Sequence, residues 1–266
     1  MTDDFTQAEN VASKFPDKLK EMIELFDEQA GENKVFPLDD RGFTRVCAAR
    51  RPNAANPNSN ENRKEFVYHS GAIRIPEATG PNTHMRSYKI EADVKVPTGG
   101  AKGVIVAVGG VMGGWTLWVD NEHKLTHSYN YFADPITTIQ ASTPLAPGTY
   151  KIEYRFTADF AQPCVQRPYP GGGLPPPAIK GKGELLVNGQ PVASGEIPCT
   201  ENGTFSGDES FDVGTDTGSP VVNYHMEDRA FTGTIDLVRV TLEDGPVPPP
   251  QPDCVEDTRH AKEESK

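Results

Sequence analysis

Lys89-Ile90-Glu91-Ala92-Asp93-Val94-Lys95-Val96 alternates charged and apolar residues at every step. Successive side chains of a strand point to opposite faces. A period of two therefore puts Ile90, Ala92, Val94 and Val96 on one face and the charges on the other. Residues 149–156 repeat the pattern, with Tyr150, Ile152, Tyr154 and Phe156 set against Thr149, Lys151, Glu153 and Arg155. Both stretches read as half-buried strands with one wet face. Residues 104–108 form a short apolar run, the mark of a more central strand. Trp115, Leu117 and Val119 then face one way, and Thr116, Trp118 and Asp120 the other. Leu125, His127, Tyr129 and Tyr131 make the next strand after a turn at Asp120-Asn121-Glu122. Residues 184–188 and 191–197 flank Asn188-Gly189, a two-residue hairpin signal. Val238, Val240 and Leu242 close the set. At least eight strands follow residue 66, without a convincing helix or an internal repeat. The expectation is a mainly β, jelly-roll-like sandwich over residues 66–243.

Composition agrees. The chain has 266 residues, room for one large domain or two small ones. Its 25 glycines and 24 prolines suit short strands joined by many turns. The 38 acidic against 26 basic residues give a net charge of −12. That argues against nucleic acid or an anionic membrane surface as the main partner, since both select basic proteins. No stretch approaches the roughly 20 apolar residues of a membrane span. The start, Met1-Thr-Asp-Asp-Phe-Thr-Gln, has neither the basic nor the apolar region of a secretory signal, so a cytoplasmic location is expected. The four cysteines, Cys47, Cys164, Cys199 and Cys254, are too scattered for a disulfide framework or a paired-cysteine metal site. Cys164 and Cys199 flank neighbouring strands and could pair, although a reducing compartment favours free thiols.

Ahead of the strands lies a helical pattern. Pro16 suits a first helical position, and Asp17 suits the positive end of the helix dipole. Leu19, Ile23, Phe26 and Ala30 follow at helical spacing, widened by Met22 and Leu25, and Gly31 is the expected stop. The face of Leu19, Ile23 and Phe26 needs a partner: the sandwich, a second copy, or another chain. Residues 1–48 thus read as a helical segment, 49–65 as an Asn/Pro/Arg-rich linker, and 244–266 as a disordered Pro-rich acidic tail. Residues 161–181 read as a Pro/Gly-rich loop inserted between strands.

The chemical motifs are sparse. Gly109-Gly110-Val111-Met112-Gly113-Gly114 imitates a dinucleotide loop, but a strand rather than a helix follows, so a glycine-rich hairpin is expected. His123 and His127 share a spacing that could hold a metal, yet no third ligand is identifiable. Asp208, Glu209, Asp212 and Asp216 could bind calcium on a sandwich rim, but the spacing misses the known loop pattern and solvated loop acids are the plainer reading. Asn202 heads a lone glycosylation sequon. Trp118, on the polar face of its strand, is the ligand-binding candidate: a sugar-stacking aromatic, unless the N-terminal segment covers it. No residue is assigned a catalytic, cofactor-binding or metal-binding role.

Residues 3–41, DDFTQAENVASKFPDKLKEMIELFDEQAGENKVFPLDDR, resemble the end of the sulfatase region in bacterial arylsulfatases. The pieces GAIRIPE (71–77), GVIVAVGG (103–110), VMGGWTLWV (111–119), LTHSYNYF (125–132), FDVGTDTGSPV (211–221) and FTGTIDLVRV (231–240) resemble the C-terminal region of the same proteins. The last piece is also similar to the end of concanavalin-like and laminin-G-like sandwiches, which makes the expected fold a jelly roll of that kind with an N-terminal helical segment. The resemblance implies that the catalytic parts precede this stretch. Calcium and formylglycine would then belong to a sulfatase core outside it, and none of its own residues inherits a catalytic role. Cys47-Ala-Ala-Arg-Arg51 satisfies the formylglycine spacing formally, but in a linker without the surrounding carboxylates and cations. The expected function is the non-catalytic accessory part of an arylsulfatase-like sulfuric ester hydrolase. The alternatives are one half of a split arylsulfatase acting with a core chain, and a carbohydrate-binding module. Expected partners are a sulfatase core chain or a second copy through the N-terminal helix.

Overall fold

The computed structural model describes residues 10–36, 38, 63–164, 178–201 and 204–243. The chain divides into two compact units, Met1–Ala48 and Ala49–Lys266. The Cys47 motif, the Asn202 sequon, most of the 49–65 linker and the 244–266 tail fall outside the described residues.

The first unit holds one helix, α1 (Pro16–Glu32), with proline in its first turn as the sequence predicts. Gly31 does not stop it. The helix runs one residue further and ends where Asn33 donates its backbone N–H to the Gln29 carbonyl and Lys34 turns left-handed at φ 55°. Val35 N–H then bonds back to the Ala30 carbonyl at 2.8 Å, so the chain folds over the last turn and buries Ala30. Leu19, Ile23 and Phe26 remain 43, 52 and 49 % exposed.

The second unit is the sandwich. Its strands are β1 (Glu65–Tyr68), β2 (Ile75–Pro76), β3 (Tyr88–Val96), β4 (Gly103–Gly110), β5 (Gly113–Val119), β6 (Lys124–Asn130), β7 (Ile136–Pro144), β8 (Gly148–Pro163), β9 (Ile179–Val187), β10 (Gln190–Ile197), β11 (Ser210–Val213) and β12 (Thr234–Leu242). They form two six-stranded sheets, β1-β12-β3-β8-β9-β10 and β2-β11-β4-β5-β6-β7. The named strand pairs are all antiparallel. Between β1 and β4 the chain changes sheet at every step, and after β10 it does so again, which is the interleaving of a jelly roll. The first and last strands pair, Phe66 with Val240, and tie the ends of the sandwich together.

The alternation seen in the sequence decides which face is which. Ile90, Ala92 and Val94 are fully buried, and so are Ile152 and Tyr154. Across the gap they meet Ile105, Trp115, Leu117, Leu125 and Phe211 in one core. Trp115 satisfies its indole N–H with the Thr83 hydroxyl at 3.0 Å. His127 lies in the same core, stacked on Tyr154 with ring centroids 3.6 Å apart. Burial pushes its pKa down to about 3, so the ring is neutral. It does not pair with His123, which sits in the turn before β6 and bonds the Ala101 carbonyl.

One loop expectation holds and another changes. Residues 109–114 are the predicted hairpin: Gly109 pairs with Gly114, and a Cβ on Gly109 would come 2.1 Å from the Gly113 carbonyl oxygen. Only glycine allows that approach. The ends of the 161–181 insertion are strand, since β8 continues to Pro163 and β9 starts at Ile179; residues 165–177 lie outside the described residues. Cys164, just after β8, is disulfide-bonded to Cys199, just after β10, with Cα atoms 5.4 Å apart. Among the described residues no helix is long and apolar enough to cross a membrane.

Candidate functional site

The outer face of the second sheet carries the site. Val104 and Ala107 of β4 and Trp118 of β5 point away from the main core and form a second apolar layer. Residues 216–230, which have almost no regular structure, cross over this layer as a strap. Val221, Val222 and Tyr224 are its buried underside.

Polar hooks fix the strap. Asp216 accepts hydrogen bonds from Val221 N–H at 2.9 Å and from the Tyr224 hydroxyl. Asn130 donates to the carbonyls of Val221, Val111 and Gly110 at 2.8, 3.1 and 3.2 Å. Asn121 holds the His225 carbonyl at 2.9 Å. The strap returns to the sheet where Val104 N–H meets the Arg229 carbonyl. That return passes so close to Gly103 that a Cβ there would lie 2.2 Å from the Ala230 oxygen.

Between the strap and the ends of β6 and β7 lies a cleft of about 370 Å³, lined by Asn130, Ile136, Val222, Tyr224, Met226 and Arg229 among others. The size falls within the range of small-ligand sites. Two of its lining residues are apolar and exposed, Val111 at the β4–β5 turn and Ile136 at the start of β7, and Met112 and Phe132, next in sequence to the lining residues Val111 and Ala133, are exposed as well. Phe132 and Ala133 both hold left-handed backbone, φ 49° and 66°. For a bulky residue that conformation is strained, and such strain gathers at functional sites. The Asn130 side-chain oxygen accepts Ala133 N–H at 2.7 Å and fixes the turn. Arg229 supplies the cation of the lining and donates to the Gly218 carbonyl.

Burial dominates the electrostatics under the strap. It pushes the Asp216 carboxyl up to about 6, against the opposing pull of the Tyr224 hydroxyl, Val221 N–H and Arg229. One Asp216 oxygen has no hydrogen-bond partner. Burial, then the neighbouring Asp216, raises the Tyr224 phenol well above its ordinary value. At the rim of the sandwich a second buried carboxylate behaves oppositely. Burial alone would raise Glu77, but His84 at 2.7 Å and the N–H groups of Ser206 and Phe205 hold it below the usual carboxylate value.

The structure places the sequence candidates as follows. Trp118 is only 8 % exposed: its indole donates to the Ser128 hydroxyl at 3.2 Å, and the Tyr224 ring sits edge-on at 5.1 Å. Its cover is the strap, and a sugar stacks on Trp118 only if Tyr224 moves. Leu19, Ile23 and Phe26 belong to the other unit. The acids of residues 208–216 are internal tethers: Asp212 binds Arg74 N–H at 2.6 Å and Thr217 N–H at 2.9 Å, and Glu209 binds Ser219. No group of three or more His, Cys, Asp or Glu among the described residues is placed to hold a metal. Sequence reasoning missed Asn130, Ile136 and Arg229, because the strap lacks any periodicity that would tie it to β6.

No family model matches the chain, and no curated protein matches it. Among solved structures it is similar to the Ruminococcus gnavus IT-sialidase CBM40 bound to alpha2,6 sialyllactose, at 14 % identity and a TM-score of 0.41, over 68 % of this chain and 93 % of that one. It is also similar to mouse laminin alpha1 chain domains LG4-5, at 12 % identity and a TM-score of 0.40, over 68 % of this chain and 40 % of that one. A third is the heptameric SAP-like pentraxin from Limulus polyphemus, at 12 % identity and a TM-score of 0.34, over 66 % of this chain and 76 % of that one. These likenesses concern the sandwich architecture alone.

Proposed function

We propose that the chain is a non-catalytic carbohydrate-binding module, with the cleft beside the strap as its sugar site. The observation that carries this is the lining. Ile136, Val222 and Met226 offer apolar surface, while Asn223 and Arg229 bring polar groups to the same opening. A pyranose ring has that division, with C–H faces for the apolar side and hydroxyls for the donors. Phe132 adds an exposed aromatic ring beside the lining residue Ala133. The buried indole of Trp118 supports the strap from beneath rather than touching the sugar. The test is a glycan panel followed by calorimetry on the hits. Arg229→Ala and Ile136→Asp each weaken binding at least tenfold, and Lys182→Ala, on the other sheet, leaves it unchanged. Failure of every glycan to bind, or equal binding by Arg229→Ala, overturns the reading.

A second reading rests on the motifs of residues 3–41 and 71–240. Their resemblance to the C-terminal part of arylsulfatases makes this module the accessory portion of a sulfuric ester hydrolase, with calcium and formylglycine on a core outside the sequence. Purification of the native polypeptide with its associated chains decides it. A sulfatase core, fused or in fixed ratio, supports the accessory role. A lone polypeptide without one rejects it and leaves the sugar-binding reading standing.

A further inference from the structure

We infer that α1 is a dimerisation helix that pairs antiparallel with α1 of a second copy of this chain. The helix has 17 residues, and in water a helix of that length takes most of its stability from packing its apolar face. Yet Leu19, Met22, Ile23, Leu25 and Phe26 are all about half exposed. The order of these residues specifies a register. Phe15, Leu19, Met22 and Phe26 are separated by 4, 3 and 4 residues, the seam of a heptad. With Leu19 and Phe26 at the a positions, the g positions fall on Lys18, Leu25 and Glu32, and the e positions on Pro16, Ile23 and Ala30.

An antiparallel pair brings g positions against g positions. Packing Met22 into the layer of the second copy's Phe26 puts Leu25 beside its own counterpart, and Lys18 opposite Glu32 at both ends. The other flank sets Ile23 against Ile23. A parallel pair brings each g against the e of the next heptad, which sets Lys18 against Ile23 and Leu25 against Ala30 and leaves Glu32 with no e position of the helix opposite it. Lys18 pairs with Glu21 of its own helix at 2.6 Å and, both being exposed, has donors left for Glu32 of a second copy, so charge complementarity selects the antiparallel arrangement and a second copy as the occupant. The dipole agrees. Asp27, Glu28 and Glu32 crowd the C-terminal half, where negative charge is unfavourable, and no basic residue lies in the last turn. The second copy supplies Lys18 and a helix N-terminus at that end. The pairing is isologous, so it closes as a two-fold dimer. It uses none of the cleft residues, so its failure leaves the sugar-binding reading untouched.

The test uses the full chain in sedimentation equilibrium. The unaltered protein should show a concentration-dependent mass rising to twice the 29.0 kDa of one chain. Lys18→Glu sets like charges opposite at both ends and raises the dimer dissociation constant about tenfold, as does Glu32→Lys. The double variant Lys18→Glu/Glu32→Lys restores it. Met22→Asp abolishes dimers, while its far-ultraviolet circular dichroism keeps the strand signal. A monomer at every concentration overturns the proposal. So does a dimer that the single charge reversals leave unaltered, or one that the double variant fails to rescue.

Discussion

The two sheets are built from the same alternating pattern, yet their outer faces have opposite fates. On the first sheet Glu91 lies between Lys89 at 3.0 Å and Lys151 at 2.8 Å, and Arg155 pairs with Glu153. The cations are hydrated and lie over the two carboxylates, so the face needs nothing further over it. On the second sheet the outward residues are Thr116, Trp118, Thr126, Ser128 and Asn130, all buried. Hydroxyls, amides and one indole cannot hydrate as charges do. They hydrogen-bond to one another, as Ser128 does with Trp118 and Thr138, and they accept a cover. That cover is the strap, and the cleft is the gap it leaves. A face without charge is therefore the face that acquires a site.

The largest expected effect tests the first sheet. Its extended hairpin is closed covalently by Cys164–Cys199, across a sequence separation of 35. Loop-closure entropy for that separation amounts to about 4 kcal/mol. The double variant Cys164→Ala/Cys199→Ala should lose stability of that order in urea unfolding, with sugar binding unchanged at native conditions. A loss below about 1 kcal/mol would show that the tie adds little. Next comes the second sheet. Trp118→Ala removes the middle of the layer under the strap and should cost about 3 kcal/mol. Amide hydrogen exchange should accelerate selectively over residues 216–230. Uniform acceleration through both sheets would mean that the strap is not a separate layer.

The pH dependence follows from the same contrast. Asp216 is raised to about 6 by burial, above its ordinary value of 3.8. A group with a raised folded pKa contributes stability that is fully present below its unfolded value and lost as pH rises through the folded one. Acidifying from pH 7 to pH 5 should therefore stabilise the sandwich by about 1 kcal/mol through this carboxyl. Glu77 has the opposite sign: its pKa is depressed, so its contribution is present above its ordinary value and lost as pH falls through the depressed one. Through these two groups, unfolding midpoints should rise steadily from pH 7 to pH 5 and turn down only below the ordinary Glu77 value of 4.5. In Asp216→Asn the gain between pH 7 and 5 disappears. Persistence of the full gain in that variant would assign it to another group.

The fold was legible where chemistry repeats along the chain. Ile90 to Val96 and Tyr150 to Phe156 showed their buried faces directly, because a period of two leaves no other arrangement with one wet side. Asn188-Gly189 showed its hairpin because both residues tolerate left-handed backbone, as they do here at φ 50° and 77°. The site was much less legible. Asp212 and Asp216 sit among glycines and threonines, a composition shared by solvated loops and by tethers, and only tertiary contacts distinguish the two. Trp118 stood out as an aromatic on a polar face, but what covers it lies more than a hundred residues later in sequence. Arg229 carried no local signal at all, since its place at the cleft depends on the close return of the strap at Gly103. The helix was read correctly from its start signals and misjudged by one residue at its end, where Lys34 rather than Gly31 takes the left-handed position.

The smallest expected effect returns to the charged face. Lys151 donates to Glu91 at 2.8 Å, and Lys89 donates to the same carboxylate from its own strand. Lys151 is exposed, so its pair with Glu91 is screened, and holding the long side chain in one rotamer costs entropy. Lys151→Ala should therefore change stability by no more than about 0.5 kcal/mol, and Lys89 should take over the carboxylate. The equivalent truncation on the covered face, Ser128→Ala, deletes the partner of a buried indole N–H and should cost about 1–2 kcal/mol despite involving no charge. Urea titration of the two variants side by side compares the faces at the level of single hydrogen bonds. A larger loss from Lys151→Ala than from Ser128→Ala would mean that the charged face, not the covered one, contributes most of the polar stability. The second sheet's need for its strap would then rest on the apolar contacts of Trp118, Val221 and Val222 alone.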